Sequence, residues 1–190
     1  MKISSAEFIK GIRGTDPILA DGVPQVAFIG RSNVGKSSLI NALVNRKELV
    51  KTGKKPGKTT EINFFSINKS ACYFVDLPGY GYAKADPEEK EKIRKLILWY
   101  VQYSEVRPLC LVLILDVKAG LTDFDKGMLF ALRECKHRYI IVANKMDKLN
   151  QKELAIQLTS IRNESGEQSI FACSAETKDG IDVLRAQIFS

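Results

Sequence analysis

A short segment with two glycines ends in a lysine and a serine, whose side chains could bind a phosphate and a metal ion. Residues 30–37 read Gly-Arg-Ser-Asn-Val-Gly-Lys-Ser and match the pattern G-x-x-x-x-G-K-[ST]. They follow an apolar run and open a helical pattern, the setting in which backbone amides and a helix N-terminus hold phosphates. We expect Lys36 to reach the β- and γ-phosphates and Ser37 to bind Mg²⁺. The loop therefore predicts a site for a nucleoside triphosphate.

A second motif, Asp-Leu-Pro-Gly at residues 76–79, follows the apolar run 71–75. An aspartate there can reach the metal through a water molecule, and a glycine amide can meet the γ-phosphate. Alone, D-x-x-G is usually an ordinary turn. Because it lies 40 residues beyond Lys36, at the end of a neighbouring predicted strand, we interpret it as the partner of the phosphate loop.

A third motif predicts which base is bound. Residues 144–147 read Asn-Lys-Met-Asp and match N-K-x-D. The carboxylate of Asp147 can accept hydrogen bonds from N1–H and the 2-amino group of guanine together, whereas adenine offers no such pair of donors. A site built for those bonds rejects the analogue that lacks them, so we expect GTP to be preferred over ATP. Ser174 and Ala175 follow the last predicted strand and suit a companion loop whose backbone amide meets guanine O6.

One more metal ligand is needed, a hydroxyl from a mobile loop that closes on Mg²⁺ and the γ-phosphate. Thr59 and Thr60 are the candidates within the long Lys- and Gly-rich stretch 46–60. We favour Thr59, because residues 56–59 read Pro-Gly-Lys-Thr and match the P-G-x-T form of this loop in several GTPases. The alternative is that this threonine only begins the next strand.

These motifs define one predicted site. We assign catalysis to Lys36, Thr59 and Gly79. We assign the metal to Ser37, Thr59 and Asp76, the last through a water molecule. The expected nucleotide contacts, in chain order, are Gly30, Arg31, Ser32, Asn33, Val34, Gly35, Lys36, Ser37, Ser38, Gly57, Lys58, Thr59, Thr60, Asp76, Leu77, Pro78, Gly79, Asn144, Lys145, Met146, Asp147, Cys173, Ser174 and Ala175.

Elements that could position these motifs alternate along the chain. Short runs rich in Val, Ile, Phe and Tyr predict six strands, at 25–29, 62–67, 71–75, 109–115, 139–143 and 169–173. Apolar residues at helical spacing predict helices at 37–44, 87–104, 123–135, 150–163 and 180–189. Such alternation predicts a three-layer α/β fold with a mainly parallel sheet and helices on both faces. The short connection 68–70 predicts a hairpin and hence one antiparallel edge strand, and every motif falls at a strand's end.

The composition suits one folded domain. The chain has 190 residues, of which 45% are hydrophobic and 27% charged, enough for a packed core and unlike a disordered or collagen-like chain. We divide it into an N-terminal extension, 1–24, packed on a domain spanning 25–190. The longest apolar stretch, 109–115, is too short to cross a bilayer, and residues 1–10 lack the apolar run of a signal peptide. We therefore expect a cytoplasmic protein with no membrane contact.

Positive charge is concentrated in the first third of the chain. The net charge is +7, and residues 1–58 hold 11 Lys and Arg against 4 Asp and Glu, whereas residues 59–190 hold 18 of each sign. Part of this excess lies within the long loop, where Glu48 alone opposes Arg46, Lys47, Lys51, Lys54, Lys55 and Lys58. Clustered basic charge favours a polyanionic partner, and the alternative is a loop that the charges keep solvated.

Taken together, the motifs resemble one known family. The pattern G-R-S-N-V-G-K-S-S-L-I-N-A-L, then P-G-K-T with I-N-F-F, then D-L-P-G-Y-G-Y-A resembles the bacterial EngB family, also called YihA or YsxC, in the Era and EngA group of GTPases. The resemblance is strongest over 25–85. It implies a P-loop GTPase fold and a GTP-binding protein that assists assembly of the large ribosomal subunit and is needed for normal growth and division. We expect a monomer that contacts ribosomal RNA and protein.

This sequence departs from the family pattern at two positions. Asn144 stands where many relatives have Thr, and Ser174-Ala175 replaces a more usual Ser-Ser pair. Neither change threatens guanine binding, because an amide and a hydroxyl can both tie neighbouring loops together. The contacts of the last loop are the part of the site that this departure puts in question.

The position after D-x-x-G bears on the rate of hydrolysis. Ras-like proteins have a Gln there that orients the attacking water, but this chain has Tyr80. A phenol cannot reproduce that geometry, so we expect slow intrinsic hydrolysis unless a partner or an ion completes the site. Similar GTPases use an asparagine at the position of Asn33 to hold K⁺ near the phosphates; the alternative is that Asn33 only braces the loop.

Three classes of function remain to be compared. A regulatory GTPase acting on the ribosome fits all the motifs. A nucleotide-gated scaffold with negligible catalysis would share them. A P-loop kinase fits least, because no acceptor site or Arg-rich lid is visible in the sequence.

Overall fold

The computed structural model describes residues 1–50, 61–81, 86–102 and 106–190. In this part of the chain the strands are β1 (Ala6–Ile12), β2 (Gln25–Gly30), β3 (Ile62–Ile67), β4 (Cys72–Asp76), β5 (Pro108–Asp116), β6 (Tyr139–Asn144) and β7 (Ile170–Ala172). The α-helices are α1 (Lys36–Leu43), α2 (Pro87–Gln102), α3 (Asp123–Glu134), α4 (Gln151–Ser165) and α5 (Ile181–Ile188). Two 3₁₀ turns span Pro17–Leu19 and Met146–Lys148.

One sheet contains all of these strands. Its order is β1-β3-β4-β2-β5-β6-β7. The pairs β4·β2, β2·β5, β5·β6 and β6·β7 are parallel, while β3 runs antiparallel to both β4 and β1. The carboxyl ends of β2, β4, β5, β6 and β7 therefore share one edge of the sheet, where a parallel α/β sheet binds its ligands.

The predicted fold class is confirmed, but two details of the sheet are wrong. The sheet has seven strands rather than six, because Ala6–Ile12 forms an additional strand. Because β1 pairs on the outer side of β3, the antiparallel strand is not at the edge of the sheet. The register slips between Phe8 and Lys10, which marks a bulge in this outer strand. The division of the chain at residue 24 stays a prediction.

Helices cover both faces of the sheet. On one face a buried apolar cluster joins the sheet to α2, α3 and α4 through Ile97, Leu132 and Ile161. On the other face a second cluster joins it to α1 and α5 through Leu39 and Leu184. All six residues of β2 are buried, as expected for a central parallel strand. The three predicted layers are thus present.

The helix ends follow from local hydrogen bonds. Thr122 and Asp125 form a reciprocal capping box at the start of α3, and Asn150 and Glu153 form another at α4. Gly166, with φ of +69°, ends α4 in the left-handed conformation that glycine adopts freely. The predicted end of the second helix, residue 104, lies outside the described residues. None of the helices in the described ranges combines the length and apolar character that crossing a bilayer requires.

Candidate functional site

The glycines of the phosphate loop are required by close packing. Gly30 ends β2, and a Cβ on it would lie 2.8 Å from Val34 Cγ2 and 2.9 Å from Ile114 O. Gly35 precedes α1 with φ of +91°, and a Cβ on it would lie 2.5 Å from Asn144 Nδ2. The loop is therefore pressed against the ends of β5 and β6. The first amides of α1 have no acceptor within the helix, so they are free to meet an anion.

Two predicted site residues from separate motifs contact each other directly. Lys36 begins α1 and Asp76 ends β4, and Lys36 Nζ forms an ion pair with Asp76 Oδ1. Both side chains are buried. Ser37 lies on the same first turn of α1 as Lys36. A carboxylate and a hydroxyl are oxygen ligands of the kind Mg²⁺ takes alongside phosphate and water, so this donor set fits that ion.

Beyond Asp76 the chain runs along the phosphate loop. Leu77 N donates to Phe28 O at 3.2 Å, and Ser32 N donates to Tyr80 O at 2.8 Å. Ser32 Oγ also donates to Gly79 O at 3.3 Å. A Cβ on Gly79 would lie 3.1 Å from Ser32 Oγ and 3.2 Å from Ser32 Cα. Gly79, the glycine whose amide is predicted to meet the γ-phosphate, therefore lies directly against Ser32.

The side chain of Tyr80 is held away from the phosphate loop. It is buried, and its Oη donates to Asp125 Oδ1 of α3 at 2.8 Å. Burial, and then the nearby Asp125 carboxylate, raise the pKa of Tyr80 well above its ordinary value. The hydroxyl therefore remains protonated and available as a donor at neutral pH. Beside it, Arg31 Nε is buried and lacks a hydrogen-bond partner among the described residues.

Asn144 connects the loops of the predicted base site. Its Nδ2 donates to Val34 O at 2.9 Å, and Ala175 N donates to its Oδ1 at 3.2 Å. Cys173 Sγ also lies 3.7 Å from that Oδ1. The amide therefore ties the phosphate loop to the last loop, as the sequence suggested an amide could. In the loop expected to bring a backbone amide to guanine O6, the Ala175 amide is paired with Asn144 in this structure.

Asp147, the predicted base reader, is oriented by two partners. Ser174 Oγ donates to Asp147 Oδ1 at 2.6 Å, and Lys148 Nζ lies 2.9 Å from Asp147 Oδ2. The hydrogen bond from Ser174, and then the contact with Lys148, hold the pKa of Asp147 below its usual range. Met146 N donates to Cys173 O at 3.1 Å, which joins the two loops through the backbone. The carboxylate is therefore ionised and fixed before any base arrives.

Asp116 is a residue of this site that the sequence analysis missed. It ends β5, and its Oδ2 lies 2.8 Å from Lys145 Nζ. The same Nζ donates to Asn33 O at 2.6 Å. Lys145 thereby joins the ends of β5 and β6 to the phosphate loop. The signal was available, because Asp116 follows the longest apolar run just as Asp76 and Asn144 follow theirs, but Asp116 lies outside the motifs from which the site was predicted.

Comparison with known proteins identifies the family. The family model described as "50S ribosome-binding GTPase" matches residues 25–145. "Probable GTP-binding protein EngB" of Chlorobium phaeobacteroides (strain BS1) is 43% identical over 165 residues, 87% of this chain and 85% of that protein. The protein of the same name from Desulforamulus reducens is 42% identical over 190 residues, covering 97% and 91%. The chain belongs to the EngB family of GTP-binding proteins.

Solved structures agree with this assignment. The crystal structure of a probable GTP-binding protein EngB has a TM-score of 0.70 and 30% identity, covering 87% of this chain and 96% of that chain. A structure of Era in complex with MgGDPNP and nucleotides 1506–1542 of 16S ribosomal RNA also gives a TM-score of 0.70, at 23% identity, over 87% of this chain and 55% of that one. The Era likeness shows the fold alone.

Part of the EngB signature lies outside the described residues. This applies to Gly57, Lys58, Thr59 and Thr60 of the predicted site and to Lys51, Lys54 and Lys55 of the basic cluster. The start of their loop is described. The buried side chain of Asn41 donates to Val50 O at 2.9 Å and accepts from Val50 N at 2.8 Å. These bonds attach residues 45–50 to α1 and leave Arg46 and Lys47 exposed.

Proposed function

We propose that this EngB family member binds GTP and GDP with Mg²⁺, hydrolyses GTP slowly, and acts as a switch in assembly of the large ribosomal subunit. One observation carries the nucleotide part of this proposal. Side chains far apart in sequence meet at the carboxyl edge of the sheet, where Lys36 contacts Asp76 and Asn144 contacts the phosphate loop. The same edge presents the fixed carboxylate of Asp147.

In this proposal each motif keeps its predicted role. Backbone amides of the phosphate loop and the start of α1 hold the phosphates, and Lys36 neutralises their charge. Asp147 accepts the two guanine donors. Ser37, Asp76 and Thr59 would hold Mg²⁺, which supplies positive charge at the β- and γ-phosphates.

A low intrinsic rate follows from the residue after D-x-x-G. The side chain of Tyr80 has no amide that could orient a water as a Gln does. Hydrolysis then needs help from a partner or from an ion such as K⁺ at Asn33. The Asn33 side chain is exposed, with φ of +70°.

The ribosomal part of the proposal is supported by the family and by charge. The matching family model is described as ribosome-binding, and Era is captured with ribosomal RNA. The basic excess of residues 1–58 suits such a polyanion. We extend the proposal to the roles that the family resemblance implies: a monomer in the cytoplasm that is needed for growth and cell division.

Base choice tests the nucleotide site. Asp147→Asn should weaken GTP binding by at least about 100-fold and favour xanthosine triphosphate, whose 2-oxo group accepts from an amide. Asp182→Asn, which alters an exposed carboxylate on α5, is the matched control and should leave both affinities unchanged. Calorimetric titration with each nucleotide measures the result. Unchanged GTP affinity in Asp147→Asn would refute the assignment.

Salt dependence tests the ribosomal partner. Removing one lysine–phosphate ion pair should reduce the slope of log affinity against log salt by about 0.7 to 0.9. In the protein that carries both Lys54→Glu and Lys55→Glu, this slope should be smaller for large-subunit binding with a non-hydrolysable GTP analogue. The large subunit should also discriminate less between the GTP-analogue form and the GDP form of the protein. Lys152→Glu on α4 is the control. If the doubly changed protein still binds GTP but neither slope nor preference moves, the loop does not bind the subunit and the basic N-terminal residues are the next candidates.

Turnover separates the remaining functions. Repeated hydrolysis of GTP with no phosphate acceptor present contradicts the kinase alternative. Acceleration of hydrolysis by the large subunit supports a GTPase switch, whereas rates at background with and without the subunit support a scaffold.

A further inference from the structure

The segment 76–80, here called the D-x-x-G segment, contacts the phosphate loop at Ser32 and at Lys36. Tyr80 O accepts a hydrogen bond from the Ser32 amide at 2.8 Å, and Gly79 O accepts one from Ser32 Oγ at 3.3 Å. At the other end of the segment, the Asp76 carboxylate occupies the ammonium of Lys36. Two groups of the phosphate loop that could face a triphosphate are therefore already paired within the protein.

These contacts should affect the binding of GTP and the binding of GDP differently. A phosphoryl group bonded to the Gly79 amide would have to lie between Gly79 and the phosphate loop, where Gly79 O and Tyr80 O now accept hydrogen bonds from Ser32. A diphosphate needs the start of α1, where either nucleotide must draw Lys36 away from Asp76, but it needs no space beside Gly79. Binding of GTP therefore requires Gly79 and Tyr80 to leave Ser32, whereas binding of GDP does not.

The position of the D-x-x-G segment against the phosphate loop is fixed by a bond to α3. Asp125 is 1% exposed and receives three hydrogen bonds: from Tyr80 Oη at 2.8 Å, from Thr122 Oγ1 at 2.6 Å and from Thr122 N at 3.1 Å. The two bonds from Thr122 fix the carboxylate at the helix start. Departure of Tyr80 would leave one carboxylate oxygen buried and without its donor, which is costly.

We propose that Asp125 is a positioning residue that acts through Tyr80 to hold the D-x-x-G segment on the phosphate loop, and that this bond lowers the affinity for GTP relative to GDP. The inference rests on the proposed function, since it concerns the same nucleotide site. A ligand shifts such an equilibrium only by its difference in affinity for the two arrangements. Removing the bond should therefore strengthen GTP binding and leave GDP binding unchanged.

The direct test is Tyr80→Phe, which deletes one hydroxyl from a buried ring. We expect GTP affinity to rise about tenfold, the order of effect of one hydrogen bond to a charged group, while GDP affinity stays the same. Tyr73→Phe is a closely matched control. Tyr73 is 7% exposed, against 6% for Tyr80, and its Oη donates to Asp21 at the same distance of 2.8 Å. This control should not change the ratio of the two affinities.

A second pair of variants separates positioning from helix capping. Thr122→Ala removes a capping hydroxyl from Asp125 but keeps Tyr80, so it should lower thermal stability without changing the GTP to GDP ratio. Asp125→Ala made in the Thr122→Ala background should shift the ratio as Tyr80→Phe does. Adding Tyr80→Phe to that protein should then produce no further shift in the affinity ratio, because both changes remove the same hydrogen bond.

Amide exchange gives a measurement independent of affinity. In the GDP complex the Ser32 N–H, bonded to Tyr80 O, should be protected, and Tyr80→Phe should speed its exchange. If the unaltered protein binds neither nucleotide, the proposed function fails. If it binds both, and Tyr80→Phe folds yet changes neither the affinity ratio nor Ser32 exchange, the inference alone is overturned.

Discussion

The carboxylate of Asp116 lies 2.8 Å from the ammonium of Lys145, across the ends of the neighbouring strands β5 and β6. The same ammonium bonds to the carbonyl of Asn33, so the pair braces the phosphate loop from the base-reading side. A change at Asp116 should therefore alter the affinity for every nucleotide whose phosphates this loop holds.

Asp116→Asn should weaken GTP and GDP binding equally, by about three- to tenfold. The pair is partly exposed, with 32% of Lys145 and 24% of Asp116 accessible, so its Coulomb attraction is screened and the effect is modest. Glu164→Gln is the control, because it alters a 2.9 Å pair with Lys126 that includes none of the predicted site residues. Titration with both nucleotides measures the change, and an effect confined to one nucleotide would contradict this bracing role.

Lys36→Ala should abolish triphosphate binding, and the structure adds a cost in stability. Asp76 is buried and loses its ion-pair partner, and breaking one side of a buried pair costs about 3–5 kcal/mol of unfolding free energy. Adding Asp76→Asn should recover much of that loss without restoring binding. Urea unfolding of the two proteins gives the comparison. Equal stability of the unaltered protein and Lys36→Ala would contradict it.

Ser174→Ala should raise the pKa of Asp147 towards its usual value, because the Ser174 hydroxyl is the main cause of the lowering. Because the carboxyl pKa is lower in the folded protein than in the unfolded chain, where it is about 3.9, the carboxylate stabilises the fold at pH values above about 3.9. This contribution is lost as the pH falls through the pKa of the folded protein. Guanine binding, which needs the ionised carboxylate, should therefore fail at a higher pH in the variant. A carboxyl carbon NMR titration of Asp147 measures the shift directly. Identical titration curves would exclude the role of Ser174.

Potassium should accelerate GTP hydrolysis over sodium, and removal of the Asn33 amide should eliminate the difference. Asn33 has φ of +70°, which alanine tolerates poorly and glycine adopts freely, so Asn33→Gly deletes the amide with less backbone strain than Asn33→Ala. Rates in matched chloride salts decide the matter. If the unaltered protein turns over equally fast in both, the ion has no role at this position.

The strand-end motifs were predictable because sequence and topology agree there. Apolar runs identify the central strands, and the rule that parallel sheets bind ligands at carboxyl ends brings Asp76 and Asn144 to one edge. The strand β1 was missed because its apolar residues do not alternate regularly with polar ones. Its sequence, AEFIKGI, has adjacent exposed residues where a bulge interrupts the pairing.

Contacts between distant polar residues could not be predicted in the same way. Tyr80 and Asp125 are 45 residues apart, and neither belongs to a pattern that names the other. Asp125 has the local appearance of a capping residue, a role it does fill. Its second contact depends on how closely α3 approaches the D-x-x-G segment, which packing of the whole domain determines.

The two borders of the sheet limit how this protein can associate with itself. At one border the outer strand β1 is bulged, and at the other β7 has only three residues. A regular row of unpaired backbone groups is what another chain needs in order to extend a sheet, and irregular or very short borders deny it that row. Growth from one molecule into the next is therefore disfavoured at both ends of the sheet that the described residues form.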